Sequence, residues 1–319
     1  PLGSMANPVA SSSSISSLLP AVVFANLTAG GGRARTLISR IRKVFDEASV
    51  PAEFTIVGST QELESAALAA IKSHKRLLIA LGGDGTFQAL VNAVYGADVV
   101  VAVLPAGGGN DFAAGLLLPA DPVAAAEAIL RGQPKLVDLA RARTADGRVR
   151  LYSGGGGVGI DAEAARHANA AFRRLPGRSR YIASALRALS GYRPIEVRAE
   201  FPGSDLPSIE VKSLLAAVLN TPTYGAGIRL APDAQLDDGW LDAVIVEDLS
   251  GYQILRLLPQ LWKSGELRTP HVKRFRVRSV RLTTNRPCMF HGDGEILGPT
   301  PVEIEVVALA VRVLAPGQN

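Results

Sequence analysis

The sequence predicts two architectures in succession: an N-terminal doubly wound α/β domain and a C-terminal antiparallel β domain of sandwich-like type. Three observations lead there. The chain has 319 residues, more than one typical domain, and its 47% hydrophobic content is ample for buried cores. From Ala21 to Pro105, short apolar runs alternate with segments of helical period, as in a parallel sheet covered on both faces. Beyond Lys135 this rhythm gives way to β-branched runs separated by turn residues. The expected divisions are 1–19, 20–134 and 135–319, with the last strand free to return to the first domain.

Taken in order, Pro1-Leu2-Gly3-Ser4 has the character of a cleaved tag, which makes Met5 the expected natural start. The Ser- and Ala-rich stretch that follows offers little to bury and is expected to be disordered through residue 19. Ala21–Asn26 reads as a strand, Arg33–Ala48 as a basic helix, Phe54–Val57 as a strand and Gln61–Lys72 as a helix. Arg76–Ala80 is too short an apolar run for a helix and reads as a buried strand. Phe87–Val94 has helical spacing, and Val99–Leu104 is again an all-apolar strand. In the second half, Leu136–Ala142 and Val149–Ser153 form a hairpin around Asp146-Gly147, and an Arg-rich helical insert runs from Asp161 to Ser190. Strands follow at Ile195–Phe201, Ile209–Asn220, Leu241–Glu247, Phe275–Leu282 and Val302–Val307, interrupted by a helical pattern at Tyr252–Gly265.

Composition excludes several classes. The N-terminus lacks the basic and apolar regions of a secretory signal, and charges or Pro/Gly interrupt every apolar run before it reaches membrane-spanning length. The single cysteine, Cys288, rules out an internal disulfide and a Cys-based metal cluster. A cytoplasmic protein is expected. Net charge is +5, from 34 Lys and Arg against 29 Asp and Glu, and the excess is local. Ala164 to Arg193 contains no acidic residue but carries Arg166, Arg173, Arg174, Arg178, Arg180, Arg187 and Arg193. Few aromatics interleave with them, so nucleic acid is not expected as a partner. An anionic membrane surface and a solvated helical face both remain open.

The chemistry-bearing stretch is Gly82-Gly83-Asp84-Gly85-Thr86, on a strand-to-helix turn. Residues without Cβ let a ligand approach the backbone, and the helix start adds a positive end, so the turn suits a phosphate. Asp84 would repel that phosphate unless Mg²⁺ lies between them; the plain alternative is a helix N-cap. Asn26 and the glycines to Gly32, Gly30 among them, form a second candidate nucleotide loop or a flexible linker. Asn110-Asp111 follows Gly107-Gly108-Gly109 at the next strand end, either against the same ligand or as an Asx-capped turn. Pro232 to Asp242 gathers four carboxylates around a turn, a hairpin or a cation site. His291-Gly292-Asp293-Gly294-Glu295 places Glu295 on a Gly-flanked turn, where it is a candidate proton acceptor from a hydroxyl or one more hairpin residue.

Four of these motifs, together with Leu104-Pro105 and Ala231-Pro232, occur in the order seen in diacylglycerol kinase catalytic-domain proteins, which the chain resembles from about Ala21 to Pro316. The resemblance implies ATP bound between the two domains, lined by Asn26 to Gly30 and by Gly82, Gly83, Asp84, Gly85, Thr86, Phe87 and Gln88, with Gly108, Asn110 and Asp111 from the next loop. It implies Glu295 as catalytic acid/base, with Asp84 the second catalytic candidate through Mg²⁺, and a partly structural Mg²⁺ held by Asp238 and the carbonyls of Gln235 and Trp240. Gly108 stands where the family usually has a Thr that touches the nucleotide, a loss of about 1 kcal/mol or less. The family's Thr near Val57 has no clear match; Ser59 and Thr60 are the candidates. The resulting expectation is an ATP- and Mg²⁺-dependent lipid kinase acting on a diacylglycerol-like or long-chain-base hydroxyl. It would sit peripherally at the inner face of an anionic membrane, with homodimerisation left open. The rivals are an NAD kinase-like enzyme, which shares the Gly-Gly-Asp-Gly-Thr turn, and a non-catalytic lipid-binding regulator.

Overall fold

The computed structural model describes residues 15–26, 34–160, 193–225, 227–250, 252–253, 256–257, 259–260, 265–266 and 269–317. Gly30, the whole Arg-rich insert at Asp161–Ser190 and much of the expected helix at Tyr252–Gly265 lie outside these residues.

Four parallel strands, β1 (Ala21–Asn26), β2 (Ala52–Val57), β3 (Leu77–Gly82) and β4 (Val100–Pro105), stand in the order β2-β1-β3-β4. Every residue of β3 and β4 is buried, which is why both appear in the sequence as unbroken apolar runs. Helices α2 (Thr60–Lys72) and α3 (Asp84–Val94) pack on each other, as do α1 (Ala34–Glu47) and α5 (Pro122–Leu130). The chain moves outward from β1 to β2, then crosses back to β3. The switch in direction therefore lies between β1 and β3, and a crevice opens beyond their C-terminal ends. Asn26 and Gly82 occupy those ends.

The second domain begins with the hairpin β5 (Gln133–Thr144) and β6 (Val149–Tyr152), followed by β7 (Gly155–Gly159). It continues with β8 (Ile195–Glu200), β9 (Ile209–Leu219), β10 (Leu241–Glu247), β11 (Val272–Val277) and β12 (Ser279–Thr284). The hairpin β13 (Met289–Gly292) and β14 (Glu295–Pro299) precedes the long β15 (Val302–Ala315). Alternate residues of β9 feed two cores: Ala216 and Val218 join one, while Leu215, Ala217 and Leu219 join the other. Burial on both faces identifies β9 as a central strand.

All these strands belong to one hydrogen-bonded sheet, whose main path runs β14-β13-β7-β9-β8-β12-β15-β4-β3-β1-β2. β15 joins the two domains. Its first part pairs antiparallel with β12, and Arg312 and Val313 lie parallel to Val100 and Val101 of β4. Antiparallel β5 accompanies it along almost its whole length, with a register shift between Val307 and Val311.

Several sequence expectations need correction. Residues 15–18 form a short 3₁₀ turn that buries Leu18, with Ile15 and Leu19 against the same core, so disorder does not extend through residue 19. Three aliphatic side chains outweigh the Ser-rich composition there. Phe275–Leu282 is two strands: β11 pairs with β10, and β12 pairs with β8 and β15, on either side of Arg278. β15 runs to Ala315 rather than Val307. β7 was not expected at all. No helix among the described residues is long and apolar enough to cross a membrane.

Candidate active site

The Gly82–Thr86 turn lies where the sequence places it, with Gly83 as N-cap of α3 and Asp84 in its first turn. A Cβ on Gly83 would stand 3.1 Å from the Cα of Gly107. The Gly82–Thr86 turn and the Gly107–Gly109 loop thus touch backbone to backbone, a closeness that side chains would prevent. Asn26 donates from Nδ2 to Thr86 Oγ1 at 3.2 Å, tying the end of β1 to the same turn.

Asp84 joins the two loops. Its Oδ2 accepts the Asp111 amide at 3.2 Å and its Oδ1 the Phe112 amide at 3.1 Å, so it caps the short helix α4 (Asp111–Gly115), not its own. Burial, then the charges of Asp111 and Asp293, push its pKa up to about 7. Asp111 in turn accepts the Gly227 amide at 2.9 Å. Asn110 adopts a left-handed backbone at φ 60° and bonds both the N–H and the carbonyl of Gly107, so its side chain shapes its own loop. Gly108 is exposed at the loop's tip.

The other wall is the β13–β14 hairpin. Asp293 and Gly294 both have positive φ, 51° and 86°, as a tight two-residue hairpin turn requires. Asp293 accepts from the Ser153 amide (2.7 Å) and hydroxyl (2.9 Å) and from the Gly154 (2.8 Å) and Gly155 (3.2 Å) amides. Burial still pushes its pKa up to about 6 against those four donors. On α3, Gln88 Nε2 donates to the Gly292 carbonyl at 3.0 Å. Glu295 thereby comes to rest on the Gly82–Thr86 turn: a Cβ on Gly85 would lie 2.9 Å from Glu295 Oε1. Partial burial raises the Glu295 pKa although the residue stands at an exposed rim. Two groups 210 positions apart in sequence meet here.

Comparison with known proteins gives the family. Residues 20–142 match the diacylglycerol kinase catalytic domain model, and residues 156–315 match the YegS C-terminal NAD kinase beta sandwich-like domain model. A diacylglycerol kinase of Mycobacterium tuberculosis is 30% identical over 260 residues, covering 81% of this chain and 83% of that one. The chain belongs to the diacylglycerol kinase catalytic-domain family. By that membership it is a lipid kinase. Two crystal structures from Bacillus anthracis str. Sterne share the fold, with TM-scores of 0.74 and 0.69 at 21% and 20% identity. Each covers 92% of this chain, and 97% and 96% of its own; the second carries the name diacylglycerol kinase.

Within this family frame, some expected ligand residues have other duties. Phe87 is fully buried and stacks on Phe112 with ring centroids 4.5 Å apart, and Gln88, 6% exposed, holds the hairpin. Neither presents its side chain to the crevice. Ser59 Oγ accepts the Glu62 amide as N-cap of α2, so it is already engaged. The sequence reading missed the roles of Asp293, Ser153, Gly154 and Gly155. A run of four glycines after Ser153 was the available signal. A Cβ on Gly156 would stand 2.6 Å from Phe290 Cζ, and one on Gly155 2.5 Å from Leu219 Cδ2.

The turn expected to bind Mg²⁺ is arranged differently. Asp238 Oδ1 accepts the Trp240 amide at 3.0 Å and Oδ2 pairs with Arg276 at 2.6 Å; the Gly239 amide goes to Asp138 at 2.7 Å. Asp238 is thus paired with the half-exposed Arg276, a guanidinium that a cation held by Asp238 and the Gln235 and Trp240 carbonyls would have to displace. Around Asp84 the fit is better. Asp111 and Asp293 both raise its pKa, so negative charge gathers around it. Neighbouring carboxylates of this kind are the donors a divalent ion takes. Among the described residues, no group of three His, Cys, Asp or Glu is placed to ligate one together.

Proposed function

We propose that this chain transfers the γ-phosphate of ATP to a hydroxyl of a diacylglycerol-like or long-chain-base lipid, with Glu295 as acid/base. The observation that carries this reading is the contact of Glu295 with Gly85 of the phosphate turn. The amides at the start of α3 would hold phosphate oxygens, aided by the helix's positive end. Mg²⁺ accompanying the nucleotide, held near Asp84 and Asp111, would supply neutralising charge. The lipid oxygen attacks the γ-phosphorus, the bond to the bridging oxygen breaks with its electron pair leaving on ADP, and the hydroxyl proton passes to the Glu295 carboxylate. A raised pKa makes that carboxylate a better acceptor than a solvated one. Because such transition states are loose, orientation counts as much as basicity.

The lipid reaches this site from a bilayer, and the Arg-rich segment ending at Arg193 would hold the enzyme to an anionic surface by salt-sensitive attraction. The test uses γ-labelled ATP with a panel of diacylglycerols and long-chain bases in vesicles. Glu295→Gln is expected to lower kcat about 10²-fold or more while ATP affinity, measured by calorimetry, stays unchanged. Normal turnover by this variant, or loss of ATP binding instead, overturns the reading.

A further inference from the structure

Helix α3 touches the second domain at three positions on one face. Gly85 lies under Glu295, Gln88 donates to the Gly292 carbonyl, and Asn92, one turn further on, meets β6. Positions 85, 88 and 92 recur at helical spacing and so form a single stripe. Asn92 lies outside every motif identified in the sequence. Its Nδ2 donates to the Leu151 carbonyl at 2.8 Å and to the Gln88 carbonyl at 2.9 Å, and its Oδ1 accepts the Leu151 amide at 3.0 Å. A side-chain amide here pairs with both main-chain groups of one residue, as a neighbouring strand would. Among the described residues β6 has no strand partner apart from β5, so Asn92 occupies its other edge.

These contacts close a circuit. Asn92 fixes Leu151; two residues on, Ser153 binds Asp293; two residues on again, Glu295 returns to Gly85 on the helix where the path began. The helical span from Gly85 to Asn92 is rigid and about 10 Å long. It sets the separation of β6 from the phosphate turn, and β6 sets the height of the hairpin. We propose that Asn92 is a positioning residue for phosphoryl transfer, holding β6 so that the Asp293 turn presents Glu295 at the phosphate turn. This rests on the assignment of Glu295 as acid/base.

The experiment is a double-mutant cycle with Asn92→Ala and Glu295→Gln on the full chain, recording kcat, the KM for ATP and for diacylglycerol, and ATP binding by calorimetry. Each variant is assayed below its own melting transition. Asn92→Ala alone is expected to lower kcat roughly 10- to 100-fold, since displacement of about 1 Å is worth that much, with ATP affinity within about twofold of the parent. In the Glu295→Gln background the same substitution is expected to change kcat by less than about threefold, because the group it positions is gone. An equal loss in both backgrounds marks Asn92 as purely structural and overturns the inference, as does normal kcat in Asn92→Ala. If Glu295→Gln alone is fully active, the acid/base assignment has failed, and the cycle shows this separately. Should Asn92→Ala not fold, Asn92→Asp keeps the acceptor for the Leu151 amide and replaces it in the cycle. If neither folds, Asn92 is a folding residue and the inference is wrong.

Discussion

Replacing Asp84 with Asn changes how stability depends on pH, and the expected size follows from two opposing effects. Burial and two neighbouring carboxylates move the Asp84 pKa from 3.8 to about 7 in the folded protein. The native state therefore holds a proton that the unfolded chain has released, and stability falls as pH rises from about 4 to 7. Such a displacement corresponds to about 4 kcal/mol at full ionisation. The Asn side chain cannot ionise, so that loss disappears. It also has one acceptor oxygen for two amides, those of Asp111 and Phe112, and its NH₂ group faces one of them. The unmet buried N–H costs about 1–3 kcal/mol at every pH. In metal-free buffer with EDTA, Asp84→Asn is thus expected to melt below the parent at pH 5 and level with or above it at pH 8. The relative midpoint should shift by about 4 °C or more across that range. Thermal melts at pH 5, 6, 7 and 8 read this directly. A difference between parent and variant that stays constant from pH 5 to 8 would refute the buried-carboxylate account.

Two further substitutions separate chemistry from folding. Gly85→Ala is expected to leave the melting temperature unchanged or slightly higher, because Ala favours a helix by up to about 1 kcal/mol. Its methyl group would displace Glu295 from 2.9 Å, so kcat should fall at least about tenfold; normal turnover would show that the contact is irrelevant. Asp293→Ala removes the acceptor for three main-chain amides and the Ser153 hydroxyl, at a cost of about 3 kcal/mol or more. Hydrogen exchange at Ser153, Gly154 and Gly155 should accelerate in that variant, and undiminished protection there would contradict the stapling role.

Strands β1, β3 and β4 were legible because burial on both faces writes itself as continuous apolar sequence, and the Gly-Gly-Asp-Gly-Thr turn because glycines between a strand and a helix have few other uses. β7 was illegible for the opposite reason. Its glycines make room for Phe290 and Leu219, and nothing in their own chemistry favours a strand. The break at Arg278 and the extension of β15 past Val307 depend on which neighbours each strand finds, information carried by distant segments. In the site, Glu295 could be named from its turn. Spacing could not reveal that Asp84 caps α4 or that Arg276 occupies Asp238, since each partner is supplied by tertiary packing. Gln88 shows the same limit: it stands within a ligand motif and serves the hairpin instead.

The seam between β4 and β15 bears on how the protein is made. Val311, Val313 and Leu314 belong to the core of the first domain, yet the ribosome adds them only after the whole of the second. Until then β4 is a bare apolar edge in the nascent chain, and such edges recruit chaperones or each other. The first half thus cannot mature in order of synthesis, and a fragment ending near residue 134 should be insoluble where the longer chain is not.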